Sequence, residues 1–199
     1  EEMDGWLEAQ GWHLAALERG EAVDLGGLAS GAARELARAW VGRVEADVAA
    51  MPLARFQAAM LVRGADPARL AAEFGVSVMA VMRRMATLPQ GEVGLVICDA
   101  SGTLVFRKPV EGFVPPRFGA ACALWPIYAA LARPMLPVEA VVHTLGRTGR
   151  RFRVRAFCEP RYPDGFGGPE LREAAMIVEP EPGGSDGLQV GSTCRICPA

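Results

Sequence analysis

Gly94-Leu95-Val96-Ile97-Cys98-Asp99-Ala100-Ser101-Gly102-Thr103-Leu104-Val105-Phe106-Arg107 is the stretch on which the fold turns. Two apolar runs, residues 94–98 and 103–107, flank a short polar segment. Such runs favour extended backbone, and Gly102 can take the left-handed conformation that closes a turn, so the segment predicts a β-hairpin. Just downstream, Phe118-Gly-Ala-Ala-Cys-Ala-Leu-Trp-Pro-Ile-Tyr-Ala-Ala-Leu-Ala-Arg-Pro134 is apolar almost all round and carries Cys122, Trp125 and Tyr128. Pro126 suits a first helical turn and Pro134 a helix end, which brackets a short helix buried on most sides. Residues 138–144, a turn at 146–149, residues 151–157 and residues 173–178 then predict further strands. The stretches 158–169 and 179–188 are rich in Pro, Gly and Asp and read as irregular.

Upstream of Gly91 the pattern is helical. Leu36, Trp40, Val44 and Val48 recur at four-residue spacing in an Ala-rich segment that stops before Pro52. A second helix is expected over 53–62. A third follows Asp66, an N-cap with Pro67 at the first position, and a fourth is capped by Ser77 and runs to Leu88. The fold class is therefore α+β, with a helical subdomain over 1–90 and a strand-rich domain over 91–199. The order strand, strand, helix, strand, strand, strand is that of a PAS- or GAF-like sensor domain, an antiparallel sheet with covering helices on one side.

Composition narrows the function classes. The chain has 199 residues, 51% of them hydrophobic and 22% charged, the balance of a globular protein. No apolar run approaches the roughly 18 residues that a membrane-spanning helix needs. The acidic start, Glu1-Glu2-Met3-Asp4, is not a signal peptide and reads as the edge of a piece excised from something longer. Five cysteines without a secretory signal point to reduced thiols in a cytoplasm. The net charge of −2 argues against nucleic-acid binding by bulk electrostatics. Locally, Arg147, Arg150, Arg151, Arg153 and Arg155 cluster with no acid among them.

Three motifs each carry two readings. Arg69-Leu-Ala-Ala-Glu-Phe-Gly-Val-Ser-Val-Met-Ala-Val-Met-Arg-Arg-Met-Ala-Thr-Leu88 has the layout of a helix-turn-helix. It offers only Ser77, Arg83, Arg84 and Thr87 to DNA, so a structural helix pair is the favoured reading. On a strand, Arg151, Arg153 and Arg155 share one face, either as a solvated, salt-bridged surface or as an anion site. Cys194-Arg-Ile-Cys197 is half of a metal site, and needs further ligands to complete one. No other cofactor is implied. With two histidines, no paired carboxylates and no H-E-x-x-H, G-x-S-x-G, P-loop or dinucleotide fingerprint, the chain reads as a non-enzyme.

Four segments in order resemble one family, the short-chain fatty acyl regulators of bacteria, which are XRE-type transcription factors. They are residues 70–88, the Cys98-Asp-Ala-Ser-Gly102 hairpin, Phe118-Gly-Ala-Ala-Cys-Ala-Leu-Trp-Pro-Ile-Tyr128, and the terminal Val190-Gly-Ser-Thr-Cys-Arg-Ile-Cys-Pro198. The resemblance implies a C-terminal sensor region without its DNA-binding domain, so that DNA is contacted only through a domain absent from this chain. The helical half would be a metallopeptidase-like remnant acting as relay, catalytically dead for want of H-E-x-x-H. The tail stops at Ala199, where relatives continue to a further Cys.

Family members sense short-chain acyl-coenzyme A esters, which implies a small-molecule effector, a homodimer and no membrane partner. Such an ester needs an apolar pocket and cations for its phosphates. Cys122, Trp125 and Tyr128, facing Phe106 and Val154, are the expected apolar lining. Arg107, Arg117, Arg153 and Arg155 are the expected cations. Two alternatives from other classes remain: a ligand-free structural oligomerisation domain, and a residual enzyme acting on thioesters through Cys122.

Overall fold

The computed structural model describes residues 2–89, 91–118, 121–145, 149–184 and 186–192. The chain divides into two compact units, Glu1–Gly91 and Glu92–Ala199.

The first unit is helical: α1 (Glu2–Gln10), α2 (Ala15–Glu18), α3 (Gly31–Ala50), α4 (Leu53–Arg63), α5 (Pro67–Phe74) and α6 (Val78–Ala86). Side-chain caps set the starts of three of them. Ser30 accepts from the Ala33 amide, Asp66 from those of Ala68 and Arg69, and Ser77 from that of Ala80. Each satisfies donors that a helix start leaves orphaned. The buried stripe of α3 is Ala33, Ala37, Trp40, Val44 and Asp47, whereas Leu36 is 61% exposed. Strict four-residue spacing drifts about 40° per step around a 3.6-residue helix, so Leu36 rotates off the face that Trp40 and Val44 bury.

α5, Gly75 and α6 are the helix-turn-helix look-alike. The Nε of Arg84, which is wholly buried, donates to the Met51 carbonyl at 2.9 Å, and its terminal nitrogens donate to the Glu18 carboxylate. Arg83 makes two bonds to Asp47, at 2.8 and 3.0 Å. Burial pushes the Asp47 carboxyl above its ordinary range, against the opposing pull of Arg83 beside it. Thr87 is buried and returns its hydroxyl to the Arg83 carbonyl at 3.0 Å. Arg83 and Arg84 thus tie α6 to α3 and α2, while Ser77 and Thr87 bond within α6 itself.

The second unit comprises β1 (Gly94–Asp99), β2 (Leu104–Lys108), α7 (Pro126–Ala132), β3 (Val138–Thr144), β4 (Arg151–Arg161), β5 (Leu171–Pro180) and β6 (Leu188–Val190). Its sheet runs β2-β1-β5-β4-β3-β6, with β6 parallel to β3 and every other pair antiparallel. Gly102 closes the expected hairpin at φ +80°, and the Asp99 carboxylate accepts from the Ser101 and Thr103 amides at 2.9 and 3.2 Å. α7 starts at Pro126 and ends before Pro134, between the brackets read from the sequence.

Two expectations are corrected. β4 runs on to Arg161 and β5 starts at Leu171, so the first four residues of 158–169 are strand rather than irregular. Pro160 is tolerated there because β3 pairs no further than Ala156, which leaves one edge of β4 without a strand partner. β6 is a further strand, too short to carry a periodic signal.

A bulge decides the faces of β2. Ile97 pairs with Phe106 but Cys98 pairs with Leu104, so Val105 is an extra residue. Leu104 faces α7, and beyond the bulge the alternation flips: Arg107 faces α7, while Phe106 and Lys108 face the other way. Phe106 therefore does not line the Trp125 face as expected.

Candidate functional site

The face of the sheet beneath α7 gathers several of the residues singled out in the sequence. Trp125 is the N-cap residue of α7 and only 2% exposed. Its indole Nε1 donates to the Gly191 carbonyl at 2.8 Å, a bond that follows directly from β6 pairing with β3. Around it lie Val96, Cys98, Met176, Val154, Phe152, Cys122 and Ile127, in one apolar cluster. Tyr128, one turn along α7, is half-buried and directs its hydroxyl to the Gly102 carbonyl at 3.4 Å. A Cβ at Gly102 would stand 3.2 Å from the Tyr128 ring, so the hairpin turn and α7 meet closely there.

Between β2 and α7 the chain crosses this face as a strap, residues 109–118. Val110 and Phe113 bond each other through both amides, at 3.2 and 2.9 Å. The Phe113 ring sits 4.9 Å from that of Trp125 and 5.7 Å from that of Phe152, with 4% exposure, in the space beside Trp125. Phe113 escaped the sequence reading because it lies in a loop. The one local sign is an aromatic residue between Pro109 and Pro115-Pro116, where a loop that only connects has little use for one.

Cys98 and Cys158 flank Ala174 on neighbouring strands, and Cys122 belongs to the same cluster. All three are buried and free. Burial, aided by the charge on Asp99, pushes the Cys98 thiol up to about 12, and burial raises Cys158 as well. Such thiols stay protonated and inert. Two strands of separation, roughly 10 Å, is too far for a Cys98–Cys158 disulfide.

The expected cations separate. Arg107 lies on the Trp125 face, cross-strand from Val96, with its Nε buried and without a hydrogen-bond partner among the described residues. Arg117 is exposed on the strap. Arg153 and Arg155 do not join them. Phe152, Val154 and Ala156 take the Trp125 face of β4, so the arginines between them point away. There Arg153 bonds Glu181 at 2.7 Å, and Arg155 bonds Glu139 and Glu179 at 2.6 and 2.7 Å. Burial holds the Glu179 carboxyl above its usual range, opposed by Arg155 and Arg153. This is the salt-bridged face of the two readings that the alternation left open.

His143 sits on that same far face, its Nε2 2.8 Å from the Asp186 carbonyl, so Cys122 has no histidine base from β3. Among the described residues no group of three His, Cys, Asp or Glu side chains is placed to hold a metal. Cys194 and Cys197 lie outside the described residues. The face is thus an apolar surface whose space beside Trp125 holds the Phe113 ring, with a guanidinium at its β2 edge.

No family model matches the chain. It is 29% identical over 196 residues to the propionyl-CoA carboxylase regulator of Cereibacter sphaeroides, which covers 88% of this chain and 41% of that protein. It shares its fold with a Mycobacterium tuberculosis transcriptional regulator of known structure, at a TM-score of 0.68 and 22% identity. That match covers 100% of this chain and 64% of the other. The chain thus spans less than two thirds of either protein. Among the described residues, no helix is long and apolar enough to cross a membrane.

Proposed function

We propose that this chain is the effector-sensing region of a bacterial transcription regulator of the short-chain fatty acyl type. It binds a small anion with an apolar end, such as a short-chain acyl-coenzyme A ester, on the Trp125 face. The observation that carries the reading is Arg107. A guanidinium whose Nε is buried, without a partner among the described residues and across from Val96, is an unmet demand for an acceptor. A carboxylate, thioester oxygen or phosphate meets that demand, and Trp125, Tyr128 and Cys122 supply apolar lining. The named relatives, both regulators, support the same class. The sheet order β2-β1-β5-β4-β3 is read as PAS/GAF-like.

In this reading the chain acts in the cytoplasm as a homodimer and breaks no bond. Ligand affinity that differs between two states shifts the regulator between them. DNA contact falls outside α6, whose arginines are already engaged with Glu18 and Asp47.

Thermal melting with acetyl-, propionyl- and free coenzyme A tests the proposal. A ligand at 100 times its dissociation constant stabilises by about 2.7 kcal/mol, a shift of several degrees. Selective stabilisation by one ester is the expected result, and no shift at millimolar concentration refutes it. That outcome would leave the second reading, a ligand-free oligomerisation domain, which the tight packing of Phe113 against Trp125 favours.

A further inference from the structure

The space beside Trp125 is already filled, and by a side chain that does not belong to the sheet or to α7. Phe113 reaches it from the strap, residues 109–118, where Glu111, Gly112, Val114, Arg117 and Phe118 are exposed and only Phe113 and Pro115 are buried. Few polar bonds tie the strap to the sheet around that ring. Its backbone closes on itself through the Val110–Phe113 pair. Its tip is tied to the sheet by Glu111 and Arg150, an ion pair at the solvent surface. Gly112 packs against Arg150 at φ +87°, where a Cβ would stand 2.4 Å from the arginine Cδ. Exposed ion pairs contribute little, so the strap is attached through its apolar contacts: the Phe113 ring, buried Pro115 and Val110 against the core.

We propose that the seat of the Phe113 ring is the binding pocket for the apolar end of the ligand, and that Phe113 is its resident occupant. This rests on the sensing reading above and adds how the pocket opens. A ligand with an acyl or aryl group of up to phenyl size enters by displacing the ring. It recovers contacts with Trp125 and Phe152, which stand 4.9 and 5.7 Å from the Phe113 centroid. Displacement breaks the Val110–Phe113 bonds and frees the strap, so occupancy on the inner face is reported at the protein surface. Apparent affinity is then reduced by the fraction of molecules with the seat open, and shrinking the ring relieves that reduction.

The test combines titration calorimetry with residue-resolved amide exchange, on the full chain, with propionyl-coenzyme A as the probe. The expected result is that saturation speeds exchange of the Val110 and Phe113 amides about tenfold or more. Phe113→Ala should bind about tenfold tighter than wild type, with Phe113→Leu as the milder variant should the alanine protein fail to fold. Glu111→Gln, which leaves the core intact, should tighten binding by about twofold to fivefold. If the wild type binds while the two amides keep their protection and the variants bind no tighter, the displacement proposal is overturned and the sensing reading stands. Binding by a Phe113 variant but not by wild type overturns both, because the native chain then neither senses the ester nor yields the ring to it. No binding by any of them overturns both.

Discussion

Lys108 gives a quantitative test of the sheet register. It is the last residue of edge strand β2, and the Val105 bulge turns it onto the face away from α7, where it is 7% exposed. Its ammonium donates to the Val93 carbonyl at 2.7 Å. Burial lowers its pKa from 10.5 to about 8. Because the folded value lies below the unfolded one, the unfolded chain binds more protons between pH 8 and 10.5. A tenfold change in a proton-binding constant is worth roughly 1.4 kcal/mol. Below pH 8 the buried charge therefore costs about 3 kcal/mol, and the cost fades as the pH rises to 10.5.

Lys108→Met removes that cost and forfeits the hydrogen bond to the Val93 carbonyl, about 1 kcal/mol, on a half-buried residue. The net expectation at pH 7 is about 2 kcal/mol of added stability, with the advantage shrinking toward pH 10.5. Cys98 works in the opposite direction. Its thiol, pushed from 9.0 to about 12, makes the folded state the better proton binder above pH 9, so stability falls there as the pH rises. Cys98 is common to both proteins and cancels in their difference. Denaturant unfolding of wild type and K108M at pH 7, 8, 9 and 10 is therefore read as a difference curve. A difference that is flat with pH, or a variant less stable than wild type at pH 7, refutes the assignment of Lys108 to a buried, inward-facing position.

Three further outcomes are expected. Arg84→Met leaves the Glu18 carboxylate without the guanidinium that it bonds in the helical unit, and should cost about 3–5 kcal/mol in chemical denaturation. A loss under 1 kcal/mol would mean that the clamp on α2 and Met51 is not made. Gly112→Ala combines a positive φ with a Cβ 2.4 Å from Arg150 and should destabilise by about 1–3 kcal/mol. Adding Arg150→Ala should recover the steric part only, read from the double-mutant cycle. In a Cys194→Ser/Cys197→Ser background, Cys98, Cys122 and Cys158 should react with an aromatic disulfide reagent only as the protein unfolds. A thiol that is modified rapidly in the native state would contradict their burial.

Much of the fold is local and so was legible. Ser30, Asp66 and Ser77 cap helices because a short side-chain oxygen reaches the amides two or three residues on, whatever lies further away. Pro126 and Pro134 bracket α7 for equally local reasons, and Gly102 closes the hairpin that its sequence announces. The candidate site was legible only in part. Trp125, Tyr128 and Cys122 were found because an all-round apolar helix must be buried. Phe113 was missed because a loop has no periodicity to reveal an inward side chain.

Residue order alone was enough to assign most segments to helix or strand, and to show that residues 151–156 alternate cation with apolar group. Which face each residue serves depended on tertiary pairing. One bulged residue, Val105, turns Arg107 onto the face of the sheet that holds Trp125 and Phe106 onto the other, reversing what uninterrupted alternation from Leu104 implies. Arg153 and Arg155 found carboxylates at Glu181, Glu139 and Glu179 that only strand register brings opposite them. The physical reason is that side-chain direction along a strand has a period of two. A shift of one residue, set by a partner strand distant in sequence, moves every following side chain to the other face.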